Sequence, residues 1–196
     1  MRIIAEAHNG IIKMKITLRR ASGFTLIEAL ITISIAAILA SIAIPSFTQM
    51  VESNRVSSAS NDFLSALMLT RSEAAKRSIS VSICTSSNSA SCSTSLDDYS
   101  SGWVIFTDCN SDGQITTTVT TCDLDGDGTN DPDQVLRVHG LLKGISIASS
   151  DAPDAFTYQF SGRATATSFS IGPASDNIKK KIKVAITGRA KLETVP

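Results

Sequence analysis

The sequence predicts an α+β fold: one long N-terminal helix, able to cross a membrane in its first half, packed by its second half on antiparallel β-sheet. Three observations predict it. Residues 24–44 form an apolar run broken by a single charge. Beyond it, Val56, Phe63, Leu67 and Ala74 recur at three-, four- and seven-residue steps, the spacing of one helix face. From Ser78 onward the pattern changes to short period-two runs separated by Gly, Asn, Asp, Ser and Pro.

The first 23 residues are a basic leader. They hold five of the 18 basic residues (Arg2, Lys13, Lys15, Arg19, Arg20) and one of the 18 acidic ones (Glu6), so the remainder carries 13 against 17 and is mildly acidic. The stretch MKITLRRASG from Met14 is a complete short leader by itself, and residues 1–13 read as an upstream extension without bearing on the fold. The run that follows has 21 residues; at ~1.5 Å per residue it spans roughly 31 Å, one hydrocarbon core. Lys/Arg crowd its N-terminal flank, while the first charges after it are Glu52 and Arg55. By the positive-inside rule the N-terminus is cytoplasmic and the rest lies across the membrane, in the periplasm. A cleaved secretory signal, with the small residues ASIA at 40–43 as its cleavage site, is the rival reading. The run exceeds the usual ~7–15 apolar residues of such signals and contains Glu28, which counts against it.

Pro45 is expected to kink the helix without ending it, because the helical pattern resumes and continues to about residue 77. Ser57, Asp62, Arg71 and Lys76 supply its polar positions. The strands expected next are ISVSIC, WVIFT, VLRVH, ISIA, FTYQF, SFSI and IKVAI, rich in β-branched and aromatic residues. They form one antiparallel sheet or two against the back half of the helix. The expected division is leader 1–23, membrane half-helix 24–44, amphipathic half-helix 45–77 and β-rich globular domain 78–196. All four cysteines (Cys84, Cys92, Cys109, Cys122) fall beyond the membrane segment. An even count in an oxidising compartment points to two disulfides, with three possible pairings; proximity in sequence favours Cys84–Cys92 and Cys109–Cys122.

The stretch GFTLIEALITISIAAILASIAIPSF, after its basic leader, resembles the processing signature of the type IV pilin and type II secretion pseudopilin superfamily. LTRSEAAKRSISVSIC, GWVIFTDCNSDG and TGRA resemble its GspH/FimT branch of minor pilins and minor pseudopilins. The resemblance implies a pilin-like fold, cleavage between Gly23 and Phe24 by prepilin peptidase, and N-methylation of the new Phe24 terminus. It also gives Glu28 a role in assembly. A carboxylate among lipid tails costs a few kcal/mol and marks a functional site with a partner; the implied partner is the Phe24 amine of a neighbouring subunit. Other minor and major pilins or pseudopilins, prepilin peptidase and the inner membrane are the implied partners. A FimT/FimU-like minor pilin is favoured, with a type II secretion pseudopilin as the alternative.

Two further clusters stand out. DLDGDGTNDPDQ places Asp123, Asp125, Asp127, Gly128 and Asp131 at the spacing of an EF-hand loop, where carboxylate oxygens converge on Ca²⁺. Gln134 stands where that loop has a bidentate Glu, and DCNSDG (Asp108, Asn110, Asp112) repeats only the first half. Structural calcium is one expectation; a solvated turn pinned by Cys109–Cys122 is the other. The C-terminal stretch holds Lys179, Lys180, Lys181, Lys183, Arg189 and Lys191 with no acid between Asp176 and Glu193. In a strand over 181–187, Ile182, Val184 and Ile186 would face inward and Lys181 and Lys183 outward. Such a face suits duplex DNA phosphates, and Gly188, Arg189 and Lys191 resemble the GR-x-basic tail by which FimT-type pilins contact DNA during uptake. The plain alternative is lysines guarding an edge strand. No aromatics interleave, so base stacking is not expected. Catalysis is not expected either: His139 is the only histidine after the leader, and no hydrolase, metalloprotease or phosphate-loop motif occurs.

Overall fold

The computed structural model describes residues 3–8, 11–16, 23–94, 98–118, 122–151, 154–174 and 179–195. The chain divides into two compact units, Met1–Phe47 and Thr48–Pro196. In the first, β1 (Ile3–His8) and β2 (Ile11–Ile16) pair antiparallel, with Ile3 opposite Ile16 and His8 opposite Ile11. Residues 3–8 and 11–13, read from the sequence as part of an upstream extension, are therefore paired strand.

Helix α1 covers Leu26–Arg77 and includes Pro45. It begins with a reciprocal cap. The Thr25 backbone N–H donates to Glu28 Oε2 at 3.4 Å, and the Glu28 N–H donates to Thr25 Oγ1 at 3.3 Å. It closes with Lys76 and Arg77 in the last turn, favourable at the negative end of the dipole, and with Ser78 at φ 59°. Through residue 50 every described side chain of the helix is exposed, including Leu26, Ile42 and Phe47. Three hydroxyls in this stretch are satisfied locally: Thr32, Ser34 and Ser41 donate to the carbonyls of Ala29, Leu30 and Ile38. A polar group so bonded is tolerated in hydrocarbon.

In the second unit the helix buries one stripe: Val56, Ala59, Ser60, Phe63, Ala66, Leu67, Thr70 and Ala74. Two four-stranded antiparallel sheets share it. One runs β5 (Val135–His139), β4 (Trp103–Thr107), β3 (Val81–Thr85), β7 (Ala155–Tyr158); the other runs β10 (Ala190–Thr194), β9 (Lys180–Val184), β8 (Thr167–Pro173), β6 (Ile145–Ser149). Phe63 joins them to the helix, its ring 5.2 Å from Trp103 of β4 and 4.9 Å from Phe169 of β8. Edge-to-face rings at such distances add to plain area burial.

Strands β3 and β4 are buried on both faces, where ISVSIC and WVIFT alone read as half-buried. Their second face carries a small cluster of Cys84, Val104 and Phe106, against which Cys92, Ile115 and Ala155 pack. The loops supplying that cover are closed by disulfides Cys84–Cys92 and Cys109–Cys122. Three details correct the sequence reading. Strand β9 ends at Val184, so Ile186 is exposed instead of inward-facing. FTYQF is strand only through Tyr158, leaving Phe160 exposed. Ala190–Thr194, not expected as a strand, forms the edge strand β10.

Candidate assembly and anion-binding sites

At the N-terminal site, Gly23 and Phe24 are exposed, and among the described residues beyond its chain neighbours nothing lies within 4 Å of where a Gly23 side chain would begin. Glu28 lies one turn away. Its Oε2 also accepts from Thr25 Oγ1 at 3.4 Å. In this chain Glu28 therefore has a local partner in Thr25, a role that the T-x-x-E spacing encodes and that its charge by itself does not signal. Distances of 3.4 Å make a weak cap, readily exchanged for a stronger charge partner.

The acidic loop is organised by its own backbone. Asp123 accepts from the N–H groups of Gly126 at 2.6 Å and Gly128 at 2.8 Å, and these bonds hold its carboxyl below the ordinary range. Carboxylate oxygens of Asp123, Asp125 and Asp131 lie within 4.8 Å of one another. Asp127 is not part of this group; its carboxylate accepts from the Thr129 N–H at 2.7 Å. Gln134, at the last EF-hand position, accepts from Arg77 Nη1 at 3.4 Å, and its backbone carbonyl accepts from the Thr107 N–H of β4 at 3.0 Å. Three converging carboxylates are hard oxygen donors suited to Ca²⁺, fewer than the six to eight ligands it prefers. The DCNSDG segment is built differently. Buried Asp108 accepts from Ser82 Oγ at 2.6 Å and the Gly113 N–H at 3.0 Å, which makes it the internal post of its own turn. Burial pushes its carboxyl up, although the Ser82 bond opposes this.

The structure splits the six basic residues of the tail. Lys179 pairs with Glu52 at 3.4 Å and Lys180 donates to Ser57 Oγ at 3.1 Å, so both turn to helix α1 and leave the outer face. Lys183, Arg189 and Lys191 line a groove of about 750 Å³ with Thr167, Ser168 and Asp151. Lys181 stands on the same face as Lys183, opposite Glu193 in register. Glu193, the acid that bounds the basic stretch, bonds Lys183 at 2.7 Å and Lys191 at 3.5 Å. The Lys183 bond, more than any other cause, keeps the Glu193 carboxyl below its ordinary range.

The TGRA stretch is shaped by packing. Arg71 of the helix donates through Nε to the Gly162 carbonyl at 3.1 Å and through Nη2 to the Thr187 carbonyl at 3.0 Å. Gly188, at φ +76°, sits against Gly162 so closely that a Cβ would overlap the Gly162 carbonyl oxygen. Glycine is thus required there by the fold, whatever Arg189 and Lys191 bind. Nothing in the spacing of Arg71 signals this clamp, since its two acceptors lie 91 and 116 residues away.

Comparison with known proteins bears on these sites. A family model described as type II transport protein GspH matches residues 59–188, two thirds of the chain. The chain belongs to the GspH family. The prokaryotic N-terminal methylation motif matches residues 18–44, which carry Gly23, Phe24 and Glu28. No match to a curated protein sequence is found. Among solved structures, a crystal form of the type IV minor pilin FimU from Pseudomonas aeruginosa (strain PAO1) is similar, with a TM-score of 0.50 and 19% identity over 74% of this chain and 92% of that one. A second crystal form gives 0.48 and 18% over 70% and 91%. At that identity the first likeness establishes the pilin-like α+β fold alone. Membership of the GspH family makes the chain a pilin-type assembly component, with its methylation motif on a helix long and apolar enough to cross a membrane.

Proposed function

We propose that this GspH-family protein is a FimT/FimU-like minor pilin, cleaved between Gly23 and Phe24 by prepilin peptidase, N-methylated at Phe24 and assembled into a type IV pilus. The observation that carries the reading is the coincidence of the methylation motif at residues 18–44 with the exposed apolar half of α1. Before assembly the protein is anchored in the inner membrane with its globular unit in the periplasm, the orientation the leader charges favour. There Glu28 is held, among the described residues, by the weak Thr25 cap. Exchanging that cap for the Phe24 amine of a neighbouring subunit neutralises a charge in a low-dielectric medium, which favours docking with other minor and major pilins. The role is assembly, with no catalytic step.

The groove of Lys183, Arg189 and Lys191 adds a second role, contact with duplex DNA phosphates during uptake. Replacing Lys181, Lys183, Arg189 and Lys191 by Ala is expected to weaken duplex binding and flatten its salt dependence. A bound calcium at Asp123, Asp125 and Asp131 is proposed as a stiffener of the acidic loop.

The description of the matching family favours a second reading, a minor pseudopilin of a type II secretion system without DNA binding. Deleting the subunit and scoring twitching motility, DNA uptake and protein secretion in parallel separates the two. Loss of secretion alone would replace the pilus reading.

A further inference from the structure

We propose that Glu193 is a built-in competitor for phosphate: its carboxylate occupies the anion position between Lys183 and Lys191, and only a polyvalent anion such as duplex DNA displaces it. The inference rests on the DNA-contact reading above and names the residue that sets its affinity.

The register of β10 on β9 places Lys191 directly opposite Lys183, two like charges that repel across neighbouring strands. Glu193 Oε2 lies 2.7 Å from Lys183 Nζ and Oε1 lies 3.5 Å from Lys191 Nζ. One carboxylate thus gives each ammonium a separate oxygen, the arrangement in which two oxygens of a phosphodiester would bridge the same pair. Both lysines line the groove with Arg189, and Thr167 and Ser168 border it. Asp151 is the one carboxylate in that lining, against the three cations Lys183, Arg189 and Lys191.

The pairing is strong enough to organise the lysines and weak enough to be replaced. Lys183 and Lys191 are 55% and 69% exposed, and ion pairs so exposed are screened by solvent and salt. A single phosphate brings no more to these two ammoniums than the carboxylate already there. A polymer of phosphates also engages Arg189 and Lys181 and releases its condensed counterions, a gain that Glu193 cannot match. A merely structural Glu193, present to quiet two facing lysines, would behave differently: its loss would cost stability and leave DNA affinity unchanged or lower.

The test uses the full-length chain in detergent micelles and a fluorescein-labelled duplex, with anisotropy read over a range of salt. E193Q keeps the side-chain length and removes the charge. It is expected to bind about three- to tenfold more tightly at low salt, because binding no longer breaks the two Glu193 ion pairs, with the slope of log K against log salt little changed since the same lysines meet phosphate in both complexes. E193A, which offers no replacement hydrogen bond, is expected to show the same gain, and adding K183A and K191A to E193Q is expected to abolish it. Wild-type binding with no gain in either Glu193 variant overturns the inference and leaves the DNA-contact reading standing. No binding by wild type or any variant overturns that reading, and the inference with it.

Discussion

Replacing Gly188 with Ala tests the packing that presents the basic tail. At φ +76° the new side chain meets the left-handed region, which costs about 1–2 kcal/mol for a residue with a Cβ. Its Cβ also overlaps the Gly162 carbonyl oxygen and lies 3.1 Å from Arg71 Nε. These are backbone and clamp atoms, so relief requires moving the 185–189 turn away from the Gly162 turn. That motion breaks at least one Arg71 hydrogen bond, worth about 1.5–3 kcal/mol for a charged donor. The total is about 3–5 kcal/mol, or a melting temperature lower by about 10 °C for a unit of this size. Gly128 is the internal control: its φ is +87° but nothing lies within 4 Å of its Cβ position. Gly128→Ala carries the backbone cost alone, about 1–2 kcal/mol. The assay is thermal unfolding followed by fluorescence of Trp103, the single tryptophan, which is buried beside Phe63. Arg71→Ala combined with Gly188→Ala is expected to fall short of the sum of the two, because both lose the same bonds. If the two glycine variants melt together, the close approach of the two turns does not govern this region and the argument fails.

Glu28→Ala is expected to insert in the membrane normally but to lose co-purification with other pilins. Undiminished recovery of partners would reject charge pairing at Phe24. Calcium added to the full-length chain is expected to raise the melting temperature, and Asp123→Ala to remove the rise; absence of both heat and shift in calorimetry leaves the acidic loop as a hydrogen-bonded turn only. Asp98 and Asp108 contribute to acid stability in opposite directions. For Asp98, burial would raise the carboxyl, but bonds from Ser146, the Ile147 N–H and Ser100 outweigh it and hold it below 3.8. Its stabilisation is full above the ordinary carboxylate range and lost as pH falls through the depressed value. Asp98→Asn is therefore expected to flatten the decline in stability below about pH 4. Asp108 is raised, mainly by burial, so its protonation adds stability as pH falls through a value above 3.8. Asp108→Asn should remove that gain, and a wild-type acid profile in either variant would contradict the assigned direction.

Much of this molecule was legible because the informative signals are local. The apolar stripe of Val56, Phe63, Leu67 and Ala74 is a helical repeat, and all four are buried. The strands WVIFT and VLRVH match β4 and β5 residue for residue. Ala190–Thr194 escaped notice because AKLET has little β-character of its own; it becomes a strand by pairing with β9. Ile186 was misplaced because period-two alternation gives no sign of where a strand stops, and here the turn clamped by Arg71 stops it. The uninterrupted run of basic residues at the tail concealed their division, since Lys179 and Lys180 find partners on a helix more than 120 positions earlier.

The sequence by itself determined the membrane-length helix, the lone Glu28 within it and the alternation of β-strands, because each is written in neighbouring residues through charge, length or periodicity. Tertiary structure alone decided that Gly188 must remain glycine, that Arg71 holds two distant turns, and that Glu193 shares its carboxylate between Lys183 and Lys191. Those three depend on chain segments meeting across strand pairs and a helix face, and contacts closed by such packing leave no periodic trace along the chain.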